Sequence, residues 1–193
     1  EPLAGVTVTD GTHTAVTDAE GNYSLEGVGA YAELRAEKEG FAFLPESITV
    51  NREDSTADFT AYETRTYSGR VTSGTKPLAG AEISASFLPE GGEEIRFSAE
   101  SAEDGSYRLT VFGGAEPTCA LEGFTFERRG EADFEGSFAV AVTAVSDGVP
   151  VPGADFGGVL TDEEGRATLS VGFGEEILPV KEGYHADAVS VEA

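Results

Sequence analysis

The sequence contains no methionine and no tryptophan, and its 193 residues include one cysteine and 2 histidines. A single cysteine excludes an internal disulfide, although bacterial surface sandwiches without disulfides are common enough that secretion stays open. Cys119 lies in the strand-like run Thr118-Cys119-Ala120-Leu121. A small buried hydrophobe is expected there, not a nucleophile. No apolar run approaches the ~20 residues a helix needs to cross a bilayer, so no membrane insertion is expected. Positive charge is scarce: 12 Lys+Arg stand against 36 Asp+Glu, a formal net charge of −24. Such a field repels nucleic acid and anionic membranes and keeps the chain dispersed in water. The surface is expected to be solvated and self-repelling, with no bound cation required. A leader, a lipidation motif and an initiator methionine are also missing, which suggests a processed or excerpted piece of a longer polypeptide.

What is present is repetition. The stretch Thr17-Asp18-Ala19-Glu20-Gly21-Asn22-Tyr23-Ser24-Leu25 returns as Ala102-Glu103-Asp104-Gly105-Ser106-Tyr107-Arg108-Leu109 and as Thr161-Asp162-Glu163-Glu164-Gly165-Arg166-Ala167-Thr168-Leu169. Each is an acidic turn, a glycine and an alternating strand. Asp and Glu suit the turn, and Gly reaches the positive φ that ends it. Three copies of one hairpin imply three copies of one small domain.

Other signals recur in the same order. Glu1-Pro2-Leu3-Ala4-Gly5-Val6-Thr7-Val8 is repeated by Lys76-Pro77-Leu78-Ala79-Gly80-Ala81-Glu82-Ile83, and in part by Pro150-Val151-Pro152-Gly153-Ala154. Glu39-Gly40-Phe41 matches Glu122-Gly123-Phe124 and Glu182-Gly183-Tyr184, and Ala57-Asp58-Phe59 matches Ala132-Asp133-Phe134. These place modules at 1–63, 64–135 and 136–193, with Tyr62–Thr66 as a short polar connector. Short alternating strands, glycine-rich turns and no capped helical period predict an all-β chain of tandem antiparallel sandwiches with essentially no helix.

The order Gly69-Arg70-Val71-Thr72, Pro77-Leu78-Ala79-Gly80-Ala81, Asp104–Leu109 and Glu122-Gly123-Phe124 resembles the carboxypeptidase regulatory-like family. Those are transthyretin-like or prealbumin-like sandwiches, akin to the collagen-adhesin B-type repeats of bacterial surface proteins. The resemblance covers the first two modules. The third departs in its first strand and in Ala167, where the others have tyrosine. The resemblance carries no catalytic residues. It implies a secreted or wall-attached protein in which such domains are stalks, spacers, adhesive modules or accessories to enzymes.

The first module lacks the opening strand that Tyr67–Thr72 supplies to the second. A missing strand leaves an unpaired edge and an uncovered core. Either the chain is an excerpt, or a strand from another chain completes the sheet, for which Ala188–Val191 is the candidate donor.

Chemistry-bearing residues are sparse. Asp18, Glu20 and Asn22 alternate as oxygen ligands would, but Arg166 takes the third place in the third copy, and calcium needs more oxygens than this loop offers. Lys38 and Asn51 are the one Lys–Asn pair within a module that an isopeptide bond would need; Lys38 is expected to reach solvent instead. His13 and His185 fall in different modules, so no Ser-His-Asp, Cys-His or zinc constellation forms within a domain. Adjacent acids such as Glu93-Glu94 point to opposite faces of a strand. Phe41/Phe43 and Phe124/Phe126 share faces and are expected in cores, while exposed aromatics would mark a joint or a ligand patch.

Expected, then, is a non-catalytic extracellular segment, serving as stalk, spacer or fibre subunit, with no catalytic, cofactor or metal residues. The alternatives are an adhesive or carbohydrate- or protein-binding module acting through loops such as Pro89–Glu94, and accessory domains of a larger secreted enzyme. The candidate partners are a second copy through an edge strand, or a protein or glycan ligand.

Overall fold

The structure, a computed structural model, describes residues 1–51 and 56–192. Among the described residues there is no helix, and the strands form antiparallel sheets with one parallel pairing, an all-β sandwich architecture as expected. The chain divides into two compact units. One comprises Glu1–Thr66 with Ser86–Ile95 and Thr110–Glu116; the other comprises Tyr67–Ala85, Arg96–Leu109 and the residues from Pro117 onward.

In the first unit, Thr14–Val16, Thr7–Thr9, Glu33–Glu37 and Ile48–Thr49 lie side by side in that order. Phe41–Leu44 pairs antiparallel with the start of the long strand Thr60–Ser73, Phe43 opposite Ala61. Alternation in Val6-Thr7-Val8 turns both valines inward. They form one buried cluster with Leu34, Phe43 and Ala57, and Leu3, Tyr23, Leu25 and Phe59 pack around it. Val8 is 1% exposed, and burying a side chain of this kind contributes about 1.5–3 kcal/mol. Tyr62, Phe87 and Phe112 form a separate aromatic group in this unit, with ring centroids 4.9–5.9 Å apart. The expected connector Tyr62–Thr66 is strand, because its alternating side chains continue the pleat of Thr60–Ser73.

The second unit holds a sheet ordered Thr118–Ala120, Glu82–Phe87, Ile95–Glu100. A larger sheet runs Ser106–Phe112, Thr60–Ser73, Asp133–Thr143, Thr125–Arg129. Val71 pairs in parallel with Phe134. Val71, Tyr107 and Phe134 on this sheet are buried, as are Ile83 on the other and Ala81 just ahead of its strand. Asp133–Thr143 serves two partners along its length. Its start pairs with Thr125–Arg129, and its later part pairs with Arg166–Val171, Phe138 opposite Val171. Phe134, Gly136, Phe138, Val140 and Val142 fall on one face by the two-residue period. Phe124 packs with Phe126, Phe138 and Phe173, and Phe138 and Phe173 have centroids 4.7 Å apart. Among the described residues, Val145–Ser146 with Val149–Pro150, Asp155–Phe156 with Val159–Leu160, and Glu176–Ile177 with Val189–Ser190 form two-stranded ribbons.

Candidate functional site

The repeated hairpins fold alike because each closes with the same two backbone bonds. The N–H groups of Gly21, Gly105 and Gly165 donate to the carbonyls of Asp18, Ala102 and Asp162, whose own N–H groups donate to the carbonyls of Asn22, Ser106 and Arg166. In the first, the Asp18 carboxylate accepts the N–H groups of Glu20 and Asn22 at 3.0 and 2.8 Å. In the third, Asp162 accepts those of Glu164 and Arg166 at 3.0 and 2.7 Å. In the second, Asp104 accepts the N–H and hydroxyl of Ser106, and these bonds, the hydroxyl first, hold the Asp104 carboxyl below its usual range. Gly21, Gly105 and Gly165 close the three turns at φ 80°, 77° and 73°. Of the oxygens that suggested a cation loop, Asp18 Oδ1 is engaged with two backbone amides. Among the described residues no group of three or more His, Cys, Asp or Glu is placed to hold a metal ion.

One residue type in the hairpin escaped sequence reasoning. The Thr17 hydroxyl donates to the Leu3 carbonyl at 2.7 Å and accepts the Val6 N–H at 2.9 Å. Ser101 does the same between Leu78 and Ala81, at 2.8 and 2.9 Å. Thr161 repeats it between Val151 and Ala154, again at 2.8 and 2.9 Å. Each hydroxyl clamps the Pro-Leu-Ala-Gly bend to the strand that enters the hairpin. The signal lay in the hydroxyl residue at one position of all three copies.

A second recurrence ties the hairpin to the far edge of its sandwich. The Tyr23 hydroxyl donates to the Ala57 carbonyl at 2.7 Å, and Tyr107 donates to the Ala132 carbonyl. Burial raises both phenols, Tyr107 to about 12, so both remain protonated donors at neutral pH. Ala167 removes this bond from the third copy.

The copies differ at the opening strand. In the second, the Val71 N–H donates to the Gly105 carbonyl at 2.8 Å and the Val71 carbonyl accepts the Leu78 N–H at 2.9 Å. In the third, Ala144 makes both bonds, to Gly165 at 2.7 Å and from Val151 at 2.9 Å. A Cβ added at Gly105 or Gly165 would meet the Val71 or Ala144 carbonyl oxygen at 2.4 or 2.5 Å; at Gly21 the nearest atom is Pro2 Cβ at 3.3 Å. Among the described residues no residue takes that place between Gly21 and Leu3. Tyr23–Leu25 is not paired as a strand, whereas its counterparts Ser106–Phe112 and Arg166–Val171 are. Beside it lies a cleft of about 690 Å³ bounded by Tyr23, Leu25, Val28, Leu34, Ala57 and Asp58.

The remaining candidates find ordinary partners. Lys38 donates to the Ala4 carbonyl and sits 5.6 Å from the Phe41 ring centroid, so its ammonium caps the first bend. Lys181 caps the Gly153 carbonyl at 3.3 Å in the same way. Asn51 lies on the exposed surface. Cys119 is half-buried, and burial pushes its thiol up to about 11, unlike the lowered value of a nucleophilic cysteine. Phe43 is buried, while Phe41, Phe124 and Phe126 are half-buried. The proposed donor Ala188–Val191 is engaged in its own repeat: Val189–Ser190 pairs with Glu176–Ile177.

His13 contributes to a local charge lock. The Asp10 carboxylate accepts the N–H groups of His13 and Thr12 at 2.6 and 2.8 Å and meets His13 Nδ1 at 2.9 Å. These bonds, that of the His13 backbone first, hold Asp10 at about 2. Its folded value lies below its unfolded one, so its contribution is present above about pH 4 and is lost as pH falls toward 2. Asp10→Asn is therefore expected to lower the denaturation midpoint at pH 7, and the gap from wild type should close between about pH 4 and pH 2. Urea unfolding at a series of pH values measures this; a gap constant with pH would contradict it.

No family model matches the chain. No solved structure matches it. Over 97 residues, 45% of this chain, it is 39% identical to Chitinase ChiA of Flavobacterium johnsoniae. The match spans 6% of that enzyme's length. The chain is thus similar to a small part of a much longer protein.

Proposed function

We propose that this chain is a non-catalytic accessory and spacer segment of a larger secreted or cell-surface bacterial protein, built from repeats of the carboxypeptidase regulatory-like kind. The observation that carries the reading is the fate of the residues the repeats share. The carboxylates of Asp18, Asp104 and Asp162, the clamp hydroxyls and the hydroxyls of Tyr23 and Tyr107 are engaged in bonds to the backbone of their own repeat. Side chains so engaged hold a scaffold and are not themselves free to act as acid, base or nucleophile. The similarity to a small part of a chitinase supports a place beside a polysaccharide-degrading domain. A spacer is favoured over a glycan-binding module because the exposed aromatics Tyr31 and Tyr184 stand in different repeats, without the flat row on which a sugar chain stacks.

The test uses the chain itself with colloidal chitin. No release of soluble sugar and no retention on the pellet are expected. Hydrolysis would overturn the non-catalytic reading, and saturable retention would replace the spacer with a binding module.

A further inference from the structure

The same tight turn is built once in each repeat, and one copy breaks its rule. The Ala32 N–H donates to the Gly29 carbonyl at 3.2 Å, that of Ala115 to Phe112 at 3.3 Å, and that of Glu175 to Gly172 at 3.3 Å. The third residue of each turn stands ten positions ahead of the aromatic in Glu-Gly-Phe or Glu-Gly-Tyr. It takes positive φ every time: 65° at Tyr31, 76° at Gly114 and 80° at Gly174. Two repeats meet that demand with glycine, which has no Cβ to strain. The first meets it with tyrosine, a bulky residue that this region of backbone disfavours.

Nothing inside the fold offsets that strain. Tyr31 is 78% exposed, the most exposed large hydrophobic side chain among the described residues. Among those residues its hydroxyl has no hydrogen-bond partner and its ring no aromatic or cationic neighbour. An exposed aromatic held on a strained backbone points to a contact made outside the fold. We propose that Tyr31 is a stacking site for one neutral sugar unit of a polysaccharide.

The surroundings select the ligand class. Gly27, Gly29 and Ala30, just ahead of the ring, are small and exposed, and a Cβ placed on Gly29 would meet no atom within 4 Å. The contact is therefore one ring wide. A protein anchor needs a packed collar of further side chains to exclude water, and this turn supplies none. A pyranose needs only a flat π face for its C–H groups and a hydroxyl within hydrogen-bond reach, and tyrosine carries both. The formal net charge of −24 repels acidic glycans, which leaves uncharged sugars. One ring binds with a Kd on the order of 10 mM, too weak to retain the chain on a chitin pellet. The inference thus goes beyond the spacer reading and does not depend on it.

The test titrates the whole chain with chitotriose and with cellotriose, both neutral, and follows the backbone amide resonances. Those of Ala30, Tyr31 and Ala32 should move with a Kd on the order of 10 mM for at least one of the two sugars. Tyr31→Gly should weaken that binding at least ~10-fold and raise the Tm of the first-repeat transition by about 2–5 °C, because glycine relieves the turn. Tyr31→Trp should keep the binding. Absence of movement with both sugars overturns the proposal, as does movement that survives in Tyr31→Gly. A lowered Tm in Tyr31→Gly also overturns it, since the ring then serves the fold. So do Tyr31 resonances that shift with the chain's own concentration, which would place a second copy on the ring.

Discussion

Gly69→Ala is expected to destabilise the second repeat by about 2–4 kcal/mol, as the sum of overpacking and a weakened buried hydrogen bond. Gly69 is not at positive φ, so the cost does not come from its own backbone conformation. It comes from the Ala132 carbonyl oxygen, 2.1 Å from where the new Cβ would stand. That oxygen belongs to backbone, which cannot swing aside as a side-chain end can. It is also held by the Tyr107 hydroxyl, and moving it loosens a bond on a tyrosine that is 6% exposed. Gly29→Ala is the control, because nothing lies within 4 Å of its Cβ position and its φ is unexceptional. Urea denaturation of both variants measures the difference. A Gly69→Ala midpoint equal to that of Gly29→Ala would show that the strand can shift freely past Ala132.

Ser101→Ala should cost about 2–3 kcal/mol, because one deletion strands two backbone groups. The hydroxyl is 4% exposed and serves the Leu78 carbonyl and the Ala81 N–H together. Water has little access to replace it, and an unsatisfied buried group carries its full desolvation cost. Ser101→Thr should stay close to wild type, since Thr17 and Thr161 make the same pair of bonds in the other copies. Thermal unfolding gives the ranking, and amide exchange at Ala81 locates the damage. Equal losses for alanine and threonine would mean that packing volume, not the hydroxyl, decides the site.

The hairpins were legible because their chemistry is short-range. Asp18 and Asp162 bond to amides two and four residues on, and Gly21, Gly105 and Gly165 sit where the chain must take positive φ. The hydroxyl clamp was not legible as a clamp. Thr17 and Ser101 look like ordinary strand residues until the bend 14 to 23 positions earlier is brought beside them. Strand continuity at Tyr62–Thr66 is hidden in the sequence for a related reason. Polar residues there suggest a connector, yet Phe41–Leu44 and its neighbours supply the ladder that makes it a strand. Phe124 and Phe126 share a face by alternation, but Phe138 and Phe173, which pack on Phe124, come from another sheet segment and another turn.

By itself the sequence determined the all-β class, the threefold recurrence and the turn positions. Period-2 alternation and turn-forming residues act over a few positions, and such signals survive in one dimension. Only the tertiary structure decided which hydroxyls hold the bends, which carbonyl receives each tyrosine, and where the cleft beside Tyr23 and Ala57 lies. Those facts depend on backbone groups far apart in the chain meeting within hydrogen-bond distance. No local pattern specifies which distant pairs will meet until the sheets have packed.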